Sequence, residues 1–227
     1  MRRVRSADRQ AVQALAMATA LCAVFYSLRL WQVGSLTFSY LPWNLFLAWI
    51  PLGLTLLLVN YLRGHAWSNW PGLLLTLLWL LFLPNSFYMV SDYIHLQDVS
   101  PSGALYDSVM FTMFVFTGML LGYASLFVLH GQLRRRLPSR QAAWIIAGIL
   151  LSCSFAMYIG RDLRWNSWDV LSSPSGLLFD LSHHFTTRAE FRDMLGTVAL
   201  FFGLIAGIYY VGIRLMRAVT ITEPPRI

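Results

Sequence analysis

The fold is decided by an uncharged stretch between Pro71 and Val90, which reads PGLLLTLLWLLFLPNSFYMV. As a helix, its 20 residues match the thickness of about 30 Å that the hydrocarbon core of a bilayer presents. It lies in one of six long runs without a charged residue, at 10–28, 30–62, 64–91, 108–133, 141–160 and 194–213. The sequence therefore predicts an all-α fold: a polytopic integral membrane helical bundle of about six transmembrane helices.

Composition supports a membrane protein and excludes several other classes. Of the 227 residues, 57% are hydrophobic and 12% are charged, whereas soluble domains average roughly 25% charged residues. This balance excludes a disordered chain, a collagen, a coiled coil and a disulfide scaffold. The net charge of +7 could indicate nucleic-acid binding, but the arginines lie between the apolar runs and not on a soluble basic face, so no nucleic-acid partner is predicted.

Arginine distribution predicts the orientation. We expect a single transmembrane domain over 1–227, with spans at about 12–33, 41–62, 71–90, 106–130, 142–160 and 191–214. Twelve of the 17 arginines then fall on the face that holds the tails 1–10 and 218–227, and eight of the ten acidic residues fall on the other face. The positive-inside rule makes the basic face cytoplasmic, with both termini in the cytoplasm.

Polar residues collect at the predicted outer face. Asn44 begins the second span, Asn85 and Asp92 lie near the end of the third, and Asp107 lies in the first turn of the fourth. Pro84 can kink the third span, so Asn85 is expected to turn inward. Asp92 and His95 are three residues apart, a spacing that suits two metal ligands but more commonly an interfacial hydrogen-bonded pair. No metal and no other cofactor is predicted.

The longest predicted outer loop, at about 160–190, begins GRDLRWNSWD. One interpretation is a short amphipathic segment that lies in the headgroup region. In the other, Arg161 or Arg164 binds an anionic group such as a lipid phosphate beside aromatic walls.

The interiors of the spans carry almost no ionisable side chains. Arg29 lies close enough to the end of the first span for its side chain to reach the interface, so we expect it to snorkel. This scarcity counts against a proton- or ion-coupled transporter. The pairs Gly118/Gly122 and Gly203/Gly207 have the small-xxx-small spacing that predicts close packing of neighbouring helices.

Four segments carry a family resemblance: Asn44–Pro51, Leu80–Leu96, Tyr106–Asp107 and Gly160–Asp169. Together they resemble the bacterial integral membrane proteins grouped as domain of unknown function 1361, over about 40–215. The resemblance implies a bacterial multi-span protein without an assigned activity, so it supplies no catalytic residue.

Two function hypotheses remain open, and whether the chain is an enzyme is one of the open points. In the first, an outer-face site binds or processes an anionic envelope or lipid component; its catalytic candidates are Asp92, His95 and Asp107, and its binding candidates are Asn44, Asn85, Arg161, Asp162, Arg164, Asn166 and Asp169. In the second, the chain is a non-catalytic partner or assembly protein for another membrane protein, or a transporter component. In both, the lipid bilayer is a partner.

Overall fold

The computed structural model describes residues 2–98, 103–163, 165, 172–176, 179, 182 and 187–222, without the side chains of 2–8, 94–98, 217 and 219–222. Of the described residues, 88% are helical and none lies in a strand. Six long helices and one 3₁₀ helix follow one another: α1 (Arg2–Val33), α2 (Tyr40–Tyr61), α3 (Trp70–Tyr88), the 3₁₀ helix (Met89–Asp98), α4 (Ala104–Arg134), α5 (Ser139–Asp162) and α6 (Arg188–Thr222).

All six long helices are long and apolar enough to cross a membrane. Both ends of each predicted span lie within four residues of the ends of the corresponding apolar segment. The prediction of an all-α bundle with six membrane-spanning helices is therefore confirmed, and the chain is a multi-pass membrane protein that contacts the lipid bilayer.

The chain forms two compact units, Met1–Ala142 and Ala143–Ile227. In the first unit, α4 is the central helix and packs against α1, α2, α3 and the 3₁₀ helix. At one end of this unit, α1 and α3 finish and α2 and α4 begin. We call this end the Asp107 end. The opposite end, formed by the loop 62–69 and the end of α4, is the Arg136 end.

The second unit has its own small core between α5 and α6. The core contains buried Tyr158 from α5 and buried Met194 and Val198 from α6. The half-buried side chains of Phe155, Ile159 and Leu163, in α5 and just after it, pack around them. Each unit therefore has an apolar core of its own.

Gly118 and Gly122 let α4 approach the end of α3 closely. A Cβ atom at Gly118 would lie 2.6 Å from the Met89 sulfur, and one at Gly122 would lie 2.8 Å from the Ser86 Cβ. The predicted packing at this pair is confirmed. At Gly203 and Gly207 a Cβ atom would meet no atom of the described residues within 4 Å, so the packing predicted there is not observed.

A buried polar cluster joins α2, α3 and α4 in the middle of the first unit. The Ser125 hydroxyl lies 2.8 Å from the Thr55 hydroxyl and accepts a hydrogen bond of 2.6 Å from the Trp79 indole nitrogen. All three side chains are buried. Because they satisfy one another, we interpret the cluster as a structural contact between helices.

Candidate functional site

Arg29 and Asp107 form a buried ion pair at the Asp107 end. Arg29 Nε lies 2.6 Å from Asp107 Oδ1, and Arg29 Nη2 donates to Oδ2 at 3.1 Å, so the contact is bidentate. The two side chains are 11% and 5% exposed. The expectation that Arg29 snorkels is wrong, because α4 begins beside the end of α1 and offers a carboxylate as partner.

Aromatic side chains surround this ion pair. The guanidinium carbon of Arg29 lies 4.2 Å from the centre of the Phe38 ring, a cation–π contact. Tyr106 donates a hydrogen bond of 2.7 Å to the carbonyl oxygen of Phe25, and the two rings stack. Together with the ion pair, these contacts join α1 to the first turn of α4.

Sequence reasoning missed Arg29 as a member of this end of the molecule. The available signal was charge: Arg29 is an isolated cation near the end of one span, and Asp107 is an isolated anion near the start of another. Helices that run up, down, up and down bring the end of the first and the start of the fourth to one side. That combination predicts proximity, although it does not predict contact.

Asp92 and Asn44 are brought together from the 3₁₀ helix and α2. The Asn44 side-chain nitrogen donates a hydrogen bond of 3.2 Å to Asp92 Oδ2. Asp92 is 4% exposed, and Asn44 is half-buried. Among the described residues, the Asp92 carboxyl has no further hydrogen-bond donor and no cationic partner. Because one neutral donor compensates a buried carboxylate poorly, this carboxyl can accept hydrogen bonds from a ligand.

The two buried carboxyls at this end therefore differ in what they can do. Asp107 is held by both prongs of a guanidinium, which occupies its two oxygens and neutralises its charge. Asp92 has a single amide donor. Of the two, Asp92 is the better candidate for ligand binding or proton exchange, and Asp107 has a structural role.

Asn85 uses its amide within its own helix. Its side-chain nitrogen donates to the Phe82 carbonyl oxygen at 3.1 Å, and the side chain is half-buried. Although Pro84 lacks an N–H group, α3 continues through it to Tyr88. The inward orientation expected for Asn85 is thus only partly realised.

His95 lies in the 3₁₀ helix, but its side chain is outside the described residues, so its pairing with Asp92 stays a prediction. The described part of the chain holds no group of three His, Cys, Asp or Glu residues able to share a metal ion.

Arg161 and Asp162 lie exposed at the end of α5, in the second unit. The remaining binding candidates, Arg164, Asn166 and Asp169, lie outside the described residues, as does most of the segment predicted to be amphipathic. Arg161 makes no hydrogen bond or ion pair with another described residue.

Comparison with known proteins yields one match. Residues 43–208 match the family described as "Protein of unknown function (DUF1361)". No curated protein matches the chain, and no solved structure matches it. The matched range covers α2 to α5 and most of α6, and so includes Asn44, Asp92 and Asp107.

Proposed function

Because the chain belongs to the DUF1361 family, whose description assigns no activity, we propose a function from the site itself. The protein binds the polar headgroup of an anionic lipid or another anionic envelope component at its Asp107 end. The observation that carries this proposal is the Asp92 carboxyl, which is buried and has one amide donor among the described residues.

Each polar group has a distinct role in this proposal. Asp92 accepts hydrogen bonds from hydroxyl or amine groups of the headgroup, and Asn44 offers both a donor and an acceptor. In the second unit, the exposed Arg161 offers a planar guanidinium that can bind a phosphate independently of this site. Arg29 takes no part, since Asp107 occupies its guanidinium.

The membrane is a bacterial inner membrane in this proposal, and the Asp107 end faces outward. Support comes from the arginine-rich segments beside the opposite ends of the spans. Reporter tags inserted at Ser102 and at Gln141 are expected to lie in opposite compartments, outside and inside respectively. Protease accessibility in intact cells measures this, and the same compartment for both tags would refute the orientation.

Asp92→Asn tests the binding site. We expect the variant to retain its bound envelope component about tenfold less well, since a hydrogen bond to a charged group contributes roughly 1.5–3 kcal/mol. The measurement is mass spectrometry of the lipids and lipid-linked molecules that co-purify with the protein in native nanodiscs. Asn44→Ala is expected to show the same loss.

Ser91→Ala is the matched control. Ser91 precedes Asp92, but its hydroxyl donates to the Tyr88 carbonyl oxygen of its own segment at 2.6 Å. This variant is expected to keep the wild-type complement of bound molecules. If folded D92N keeps the same complement as S91A, Asp92 does not bind a headgroup and the proposal is wrong.

The alternative function is a non-catalytic role in assembly with another membrane protein. The Arg29–Asp107 pair is consistent with it, because a buried ion pair between α1 and α4 can be a structural contact that needs no ligand. Purification of a stable complex with a second membrane protein, together with an unchanged lipid complement in D92N, would support this alternative over binding.

A further inference from the structure

A second charged region lies at the Arg136 end, away from the site described above. The loop 62–69 and the segment 131–142 carry five exposed arginines: Arg63, Arg134, Arg135, Arg136 and Arg140. Neither segment contains an acidic residue, and none occurs anywhere between 108 and 161. We call these five residues the Arg136 patch. Its positive charge is not compensated within its own segments.

Arg136 is held in a defined position in this patch. Its Nη1 donates to the Gln132 carbonyl oxygen at 3.2 Å and to the Gln132 side-chain oxygen at 3.0 Å. Its guanidinium carbon lies 5.4 Å from the centre of the Trp67 ring. Nε and Nη2 make no hydrogen bond to any described residue, so two sides of the guanidinium remain available to a ligand.

The Trp67 ring is itself fixed against the first turns of α3. Its indole nitrogen donates to the Thr76 hydroxyl at 2.8 Å, and that hydroxyl donates to the Gly72 carbonyl oxygen at 2.7 Å. A Cβ atom at Gly72 would lie 2.7 Å from the Trp67 carbonyl oxygen, so the loop closes tightly on the helix. The platform beneath Arg136 is therefore preorganised, which reduces the entropy lost on binding.

The start of α3 adds positive potential beside this platform. Asn69, the N-cap residue, makes no side-chain capping bond, so the first N–H groups of α3 are not capped by a side chain. Trp70 follows with 74% of its surface exposed, as is typical of an indole at a membrane interface. Because four apolar spans begin or end here, the patch lies at headgroup depth.

From this arrangement we infer that the Arg136 patch binds the phosphate of an anionic phospholipid headgroup, with Arg136 as the central ligand. Charge complementarity selects the occupant: the five guanidiniums belong to segments that contain no acidic residue, and anionic headgroups at the leaflet surface are the adjacent counter-charge. The inference is independent of the proposed function, because it concerns other residues at the opposite end of the spans.

Native mass spectrometry of the full chain in neutral detergent tests the inference by titration with phosphatidylglycerol and, separately, with phosphatidylcholine. Wild-type protein is expected to bind phosphatidylglycerol more tightly. Arg136→Ala should weaken that affinity about fivefold, since one arginine near an anionic surface contributes about 1 kcal/mol. Arg214→Ala is the matched control: Arg214 also lies on an aromatic ring, that of Tyr210, but outside the patch, and its loss should leave the affinity unchanged.

The double variant R134A/R135A guards against misfolding, because the hydrogen bonds to Gln132 and the cation–π contact with Trp67 are made by Arg136. It is expected to lose affinity to at least the same extent as R136A. Equal binding of the two lipids, or wild-type affinity in both folded patch variants, would overturn the inference. So would displacement of phosphatidylglycerol by inorganic phosphate at a comparable concentration, which would identify a site for the free anion.

Discussion

Arg29→Ala is expected to destabilise the protein by about 3–5 kcal/mol, because it leaves the buried Asp107 carboxylate without its counter-ion. The free energy of unfolding can be measured by titrating the protein from neutral micelles into SDS. Asp107→Ala should cause a loss of similar size, since it leaves the guanidinium buried instead. Each change also removes a connection between α1 and α4.

Two variants separate the ion pair from general effects of mutation. Arg214→Ala removes an exposed arginine and is expected to change the free energy of unfolding by less than about 0.5 kcal/mol. The double variant R29M/D107L, which replaces both charges with apolar groups, should recover most of the stability that either single variant loses. If R29A is as stable as R214A, the pair contributes nothing to the fold.

Gly122→Ala is expected to destabilise the protein by about 1–3 kcal/mol through overpacking. The added methyl group would lie 2.8 Å from the Ser86 Cβ and 2.9 Å from the Phe87 ring, and both residues are buried. Gly118→Ala should cost less, because the nearest atom is the Met89 sulfur, near the end of a flexible side chain. The same unfolding measurement ranks the two variants.

Gly131→Ala is the control in the same helix. Apart from the helix's own backbone and the neighbouring residues, no atom of the described residues lies within 4 Å of a Cβ there, so the substitution should stabilise α4 by up to about 1 kcal/mol through helix propensity alone. The expected order of stability is G131A, then G118A, then G122A. A G122A protein at least as stable as wild type would show that α4 and the end of α3 are not in tight contact.

The architecture could be predicted from the sequence because a bilayer imposes a length on each apolar helix. The stretch Pro71–Val90 and the other five uncharged runs are long enough to cross a bilayer and carry too little charge to be helices of a soluble protein. The number of helices and their approximate ends follow from these runs. Inside the bilayer no water is present to form hydrogen bonds with a non-helical backbone, so most other backbone structures are excluded. Hence the apolar segments of the helices differ little from the predicted spans.

For the candidate site, the sequence could predict only the depth in the membrane at which its residues lie. Spacing along α2, α3 and α4 placed Asn44, Asp92 and Asp107 near one end, but rotation of each helix about its axis decides which side chains meet. That rotation depends on packing between helices, such as the fit of Gly122 against Ser86. No pattern in a single sequence shows how each helix is rotated. The pairing of Asp92 with Asn44, and of Asp107 with Arg29, therefore required the structure.

The separation of Arg29 from Asp107 along the chain has a consequence for membrane insertion. The ribosome adds Asp107 to the chain 78 residues after Arg29, so the first helix enters the bilayer before its counter-ion exists. An unpaired arginine in lipid is costly, which keeps a newly inserted α1 shifted toward the surface. Its final depth is thus fixed only when α4 arrives, and a chain arrested before α4 emerges would leave its first helix shallow and exposed to membrane quality control.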